Sequence, residues 1–173
     1  EAVGLDMYLK LIEEEINRLT NTEEANERDV LLELDYTGFI PDSYITDPSA
    51  KFEMYKRIAS ITTEGRLEGL KSEAENRFGP IPEEVDNLFC IAEIKIICRK
   101  LKIYHLKETR GIADVEFSQV SVINPSKVVH LVSLSGGRVR LDPRRMDHLT
   151  LDTQAVSLKD KAQFILETLR RLI

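Results

Sequence analysis

Residues 82–101 read PEEVDNLFCIAEIKIICRKL. Val85, Leu88, Phe89, Ile91, Ala92, Ile94, Ile96, Ile97 and Leu101 cover more than one helical face, and a helix that is apolar on most sides belongs at the centre of a domain. Pro82 suits a helix start, and Glu83 and Glu84 fall in the first turn, where carboxylates meet the positive end of the helix dipole. The two cysteines, Cys90 and Cys98, lie on this helix. Two turns of helix set their Cα atoms about 12 Å apart, too far for a disulfide. Two free thiols fit a reducing cytoplasm, and small core residues are the simpler reading of both.

Upstream of this helix, Thr63 to Phe78 forms a second one, with Leu67, Leu70, Ala74 and Phe78 inward. Gly79 stops it and Pro80 prevents continuation. Asp47-Pro48 opens an earlier helix as cap and first residue, with Phe52, Tyr55, Ile58 and Ala59 as its apolar stripe. Val30 to Tyr36 alternates, with Leu32, Leu34 and Tyr36 on one face and Glu33 and Asp35 on the other, which reads as a strand ended by Gly38 and Pro41. Leu5, Tyr8, Leu9, Ile12, Ile16 and Leu19 recur at helical spacing over 4–19, and the polar stretch 21–28 has no periodicity.

Downstream, Ile103 to Leu106 and Ala113 to Phe117 read as strands joined near Gly111. Asn124-Pro125 caps a short helix through Leu134, and Gly136-Gly137 is a turn. Arg138 to Leu141 and His148 to Leu151 read as two further strands. Ser157 and Asp160 resemble a capping box before a last helix that turns Ala162, Ile165, Leu166, Leu169 and Leu172 inward. The expected fold is α+β: long helices in the first two thirds, packed with a small, mostly antiparallel sheet and a C-terminal helix. The expected organisation is a helix over 1–22, a linker over 23–28 and one domain over 29–173.

The chain has 173 residues and a net charge of −6. The charge is uneven: residues 1–36 hold eleven acids against three bases, and the remainder carries a small positive excess. An acidic segment repels nucleic acid and favours a basic protein partner. No apolar run approaches the ~18 residues of a membrane span, and no basic-then-apolar signal opens the chain. The expected location is cytoplasmic, and the expected partners include no membrane. A start at Glu1 rather than Met suggests a piece of a longer chain.

The sequence carries neither a G-x-x-x-x-G-K-[ST] loop nor a G-x-G-x-x-G fingerprint, so it has no cradle for a phosphate or dinucleotide. His105, His130 and His148 stand far apart, and there is no C-x-x-C, so no metal ligand set is legible. No G-x-S-x-G elbow marks a nucleophile. The expectation is therefore no catalytic, cofactor or metal site in this chain. Arg138, Arg140, Arg144 and Arg145 form a basic cluster without interleaved aromatic residues, which suits a solvated strand edge, a protein contact or a nucleic-acid backbone. On the Thr63–Phe78 helix, Glu73, Asn76 and Arg77 share one outward stripe. From spacing alone Glu73 and Arg77 pair with each other; the alternative is that they reach a partner's charges.

Tyr55-Lys56-Arg57-Ile58-Ala59-Ser60, then Leu67 and Leu70, then Arg77-Phe78-Gly79-Pro80-Ile81-Pro82 stand in an order and spacing that resembles the C-terminal domain of the bacterial transcription-repair coupling factor family, Mfd. Val3-Gly4-Leu5-Asp6-Met7-Tyr8 is similar to the helix leaving the family's motor module, and Phe39-Ile40-Pro41-Asp42-Ser43-Tyr44-Ile45 to a further family segment. The resemblance covers Val3 to about Leu101 and is weaker beyond. It implies a parent that is an ATP-driven DNA translocase, with ATP and Mg bound in a motor module that this chain lacks. The parent would release stalled RNA polymerase on duplex DNA and recruit UvrA. The resemblance also implies that this C-terminal domain is regulatory: it packs on a UvrB-like N-terminal module of the same chain and masks the UvrA-binding surface. Glu73 and Arg77 match an acid and an arginine at that contact, and Asn76 stands where the family pattern has Asp. A nucleic-acid-contacting accessory domain using Arg138, Arg140, Arg144 and Arg145 is the alternative.

Overall fold

Asp47 folds its carboxylate back onto the first turn of helix α1 (Pro48–Ser60), accepting from the amides of Ser49 at 3.4 Å and Ala50 at 3.1 Å. Those amides have no partner within the helix, so the cap satisfies them and fixes the start. This computed structural model describes residue 12 and residues 30–35, 38–119, 123–158 and 160–173. The helix read over 4–19 therefore lies outside the described residues except for Ile12, which is helical and buried, and the linker read over 23–28 lies outside them entirely. The described residues form two compact units, one spanning 38–96 with residue 12, the other 30–35 with 97–173.

In the first unit, α1 buries the expected Ile58, together with Met54 in place of the expected Phe52, which is 49% exposed. Met54 and Ile58 are four residues apart on one face; Phe52 lies two residues, or about 200° of rotation, from Met54 and so faces away. Tyr55 and Ala59 are half-buried at the edge of the stripe. Helix α2 (Glu64–Phe78) starts at Thr63, whose hydroxyl accepts from the Arg66 amide at 3.4 Å. It buries Leu67, Leu70 and Ala74, while Phe78 is only half-buried. Gly79 ends it at φ 95°, a left-handed conformation that any side chain would strain, and its amide donates to Glu75 O at 3.0 Å. Helix α3 (Glu83–Lys100) begins in the first unit and ends in the second. It buries Val85, Leu88, Phe89, Ile91, Ile94, Ile96, Ile97 and Cys98, as its all-round apolar sequence requires. Gly38 passes so close to α3 that a Cβ there would stand 2.6 Å from Leu88 N and 2.7 Å from Glu84 O. The neighbouring Phe39 amide uses that approach to donate to Glu84 O at 3.2 Å.

The second unit is built on a five-stranded sheet in the order β1 (Leu31–Glu33), β2 (Ile103–Thr109), β3 (Ile112–Phe117), β5 (Arg145–Asp152), β4 (Val139–Asp142). β1 runs parallel to β2, and every other pairing is antiparallel. The turn Arg110-Gly111 joins β2 to β3, and a β-bulge interrupts their pairing between Ile103 and His105. Alternation along β3 buries Ala113, Val115 and Phe117 and turns Asp114 and Glu116 to the other face. Asn124 caps helix α4 (Pro125–Leu134) through the Ser126 amide at 2.9 Å. Helix α5 (Lys161–Arg170) buries the expected Ala162, Ile165, Leu166 and Leu169, with Leu172 just beyond it. The Ser157–Asp160 pair exchanges hydrogen bonds at 2.7 and 3.3 Å, but it closes a turn ahead of α5 rather than its first turn. The order of elements is the expected α+β one: helices first, then a mixed, mostly antiparallel sheet, then a C-terminal helix.

Candidate functional site

The outward stripe of α2 is flanked by α1. Glu73 accepts from Arg57 Nη2 of α1 at 2.5 Å, and its other oxygen lies 3.6 Å from Arg77 Nη1, one turn further along its own helix. The Arg57 hydrogen bond, with the charges of Arg57 and Arg77 behind it, holds the Glu73 carboxyl below its ordinary pKa. The same contact raises the Arg57 guanidinium above its ordinary value. Glu73 is half-buried, and Asn76 and Arg77 are exposed beside it. The structure thus brings the three sequence-selected residues, Glu73, Asn76 and Arg77, to one surface.

That surface is tied into its unit by further contacts. The Arg77 guanidinium lies 4.8 Å from the centre of the Phe78 ring, within cation–π range. Phe78 packs at 5.8 Å and 59° against Tyr44. The Tyr44 hydroxyl reaches Ala74 O at 3.1 Å and Gly79 O at 3.0 Å, so it ties the end of α2 to the 39–45 segment. Burial, helped by the nearby Glu75 charge, pushes the Tyr44 phenol above its ordinary pKa, so it stays a hydrogen-bond donor. Chemically the stripe offers one anion between two cations and an exposed amide, an arrangement suited to binding a charged protein surface.

Arg57 was missed as a site residue by spacing arguments. It lies sixteen residues before Glu73, and only the packing of α1 beside α2 joins them. Its one sequence signal is its place inside the Tyr55–Ser60 motif.

The four arginines of the second unit do not form one free patch. Arg145 pairs with Asp142 at 2.7 Å and with Asp114 at 3.6 Å. Arg140 Nε donates to Gly137 O at 2.9 Å, and the Arg138 guanidinium lies 6.0 Å from the Phe164 ring centre. Arg138 precedes β4 rather than sharing a strand with Arg140, and Arg144 sits in the turn between β4 and β5. The Cys98 thiol, pushed up to about 12 by burial, is held protonated and unreactive at neutral pH.

Fold and surface together define an α+β domain whose helical half presents a charged stripe. Residues 34–128 match the TRCF domain, and the chain belongs to that family. It is the C-terminal TRCF domain of a transcription-repair coupling factor. Among its relatives, the transcription-repair-coupling factor of Borreliella burgdorferi is 30% identical over 172 residues, 99% of this chain and 15% of that protein. The Escherichia coli factor is 31% identical over 152 residues, 84% of this chain and 13% of that protein. The Rickettsia prowazekii factor is 37% identical over 143 residues, 82% of this chain and 13% of that protein. The chain therefore spans about a seventh of the length of these relatives. A crystal structure of the C-terminal domain of transcription-repair coupling factor shares the fold, with a TM-score of 0.73 at 22% identity over 83% of this chain and 91% of that one.

Proposed function

We propose that this domain is a non-catalytic, autoregulatory interaction module of a DNA-repair translocase. It binds the UvrB-like N-terminal module of its own parent chain and masks the surface to which UvrA would bind. The contact is the α2 stripe of Glu73, Asn76 and Arg77. The observation that carries this reading is the fixed, ionised Glu73 held between Arg57 and Arg77 with Asn76 exposed beside it. Fixing a charged side chain in advance removes part of the ordering cost of binding, and charge-assisted bonds to a partner's arginines are about twice as strong as neutral ones. In this reading the parent also carries a motor that holds ATP and Mg, and RNA polymerase and duplex DNA are met by other parts of the parent.

The test is calorimetric titration of the purified chain against the N-terminal module, with UvrA capture by that module as a second readout. The wild-type chain is expected to bind and to lower UvrA capture; Glu73→Ala with Arg77→Ala is expected to abolish both effects. Unchanged affinity in that double variant removes the stripe from the interface. The nucleic-acid alternative has less support, because the net charge of −6 opposes approach to a polyanion and Arg145 is held by Asp142 and Asp114.

A further inference from the structure

One face of the sheet carries a row of titratable groups that the proposed function does not use. Glu116 of β3 stands opposite His148 of β5 and, across the β-bulge, opposite His105 of β2. The bulge also brings Tyr104 to the same place, and its hydroxyl donates to Glu116 Oε1. Asp114, two residues before Glu116 on β3, faces the same side.

We infer that this row is a divalent-metal site for an ion of the zinc class, held by His148 Nε2, Glu116 Oε2 and Asp114 Oδ2, with water completing the coordination. The His148 side chain is only 9% exposed. Its Nδ1 bonds Asp147 Oδ1 at 2.8 Å, so Nε2 is the nitrogen left to face the row. Nε2 stands 3.6 Å from Asp114 Oδ2 and 3.6 Å from Glu116 Oε2. Both separations exceed a hydrogen bond. A divalent cation placed there would meet one imidazole nitrogen and two carboxylate oxygens. Ligand atoms about 2.0–2.2 Å from one tetrahedral ion lie roughly 3.3–3.6 Å from each other, which is the spacing observed around Nε2.

The surroundings are those that metal ligands need. A ligating histidine typically gives its other nitrogen to a carboxylate, and Asp147 does this for His148. A ligating carboxylate is itself hydrogen-bonded, and Tyr104 does this for Glu116. The second Asp114 oxygen, Oδ1, is buried without a hydrogen-bond partner and lies 3.6 Å from Arg145 Nη2. Glu116, Asp147 and His148 each offer a ligand atom within 4.8 Å of the other two, so Asp147 lies close enough to support the site from the far side of His148. His105 Nδ1 lies 3.9 Å from Glu116 Oε2, and its Nε2 is held by Glu33 at 2.8 Å, in reach as a further ligand.

The experiment is equilibrium dialysis of the chain against micromolar zinc, with bound metal measured by atomic emission. One zinc per chain is expected. Asp114→Asn and Glu116→Gln, both conservative in shape, should each weaken binding at least ten-fold, and Asp147→Asn should weaken it about ten-fold through His148. His130→Ala, on the exposed face of α4, should bind as the wild type does. Circular dichroism melts of each variant establish that it is folded; if His148→Ala unfolds, the Asp114 and Glu116 variants decide. A wild-type chain that takes up no zinc, or Asp114 and Glu116 variants that bind it as well as wild type, overturns the assignment and leaves the row as histidine–carboxylate ion pairs.

Discussion

Asn76 is exposed in the last turn of α2, next to Arg77 and three residues past Glu73. Two effects of a carboxylate at this position oppose each other. In the domain alone, a negative charge near a helix C-terminus meets the negative end of the dipole, which costs about 0.3–1 kcal/mol. Against a partner's arginine, an ionised acceptor makes a stronger bond than an amide, by about 1 kcal/mol or a factor of roughly five in affinity. Asn76→Asp is therefore expected to lower the unfolding free energy slightly and to tighten binding to the N-terminal module. Urea unfolding and calorimetric titration read the two effects separately. Equal affinity of the two chains would show that position 76 does not face the partner's cations. Arg57 belongs to the same scale: by holding Glu73 ionised it sets which charge the stripe presents, and no spacing rule within α2 could have pointed to it.

At the scale of single elements, what is local in the chain was legible. Asp47 and Asn124 cap their helices because side-chain oxygen, orphan amide and the short spacing between them are all encoded together. The inward face of α1 was read correctly at Ile58 and misread at Phe52, because apolar residues lie on two sides of that helix and only its tertiary neighbours choose Met54 over Phe52. The tie between β2 and α5 was not legible at all. Glu108, fully buried, accepts from Lys161 Nζ at 2.6 Å and from Thr153 Oγ1 at 2.7 Å, with the Asp35 amide at 3.4 Å. Burial alone would raise the Glu108 pKa, but the hydrogen bonds from Lys161, Thr153 and Asp35 outweigh it and leave the carboxyl below its ordinary value. A carboxyl with a lowered folded-state pKa stabilises the fold fully above its unfolded-state value and loses that contribution as pH falls through the folded one. Glu108→Ala strands Lys161 and should cost about 3–5 kcal/mol at neutral pH. Glu108→Gln should flatten the acid limb of stability below about pH 4.5 while leaving packing intact. Melting temperature against pH for the three chains measures both, and superimposable acid limbs for wild type and Glu108→Gln would remove Glu108 from the acid response.

At the scale of the whole molecule, the fold class could be read from the order of helices and strands, but the partners within the sheet could not. Strands carry only their own alternation; that β1 lies parallel to β2, or that Glu116 faces His148, is decided by pairings between distant segments. Histidines that stand alone along the chain thus come to flank one glutamate, Glu116, from the two strands beside it, which is why a search by ligand spacing passed over them. The distribution of charge is a whole-molecule property of the opposite kind, since it is legible from composition. A net charge of −6, with most of the acid excess in residues 1–36, opposes approach to a polyanion. Of the four clustered arginines, Arg145 is neutralised by Asp142 and Asp114. Even if all four reached phosphates, a slope near 0.9 per contact gives affinity falling at most about fifty-fold between roughly 50 and 150 mM salt. The expected result for duplex DNA at about 150 mM salt is a dissociation constant weaker than ~10⁻⁴ M, the weak end of non-specific binding. Fluorescence anisotropy with a labelled duplex over a salt series tests this. Micromolar binding that steepens with falling salt and disappears in the Arg140→Ala, Arg144→Ala chain would move the function from the α2 stripe to the β4–β5 hairpin, because those two guanidinium groups can supply such a contact without breaking the Arg145 ion pairs.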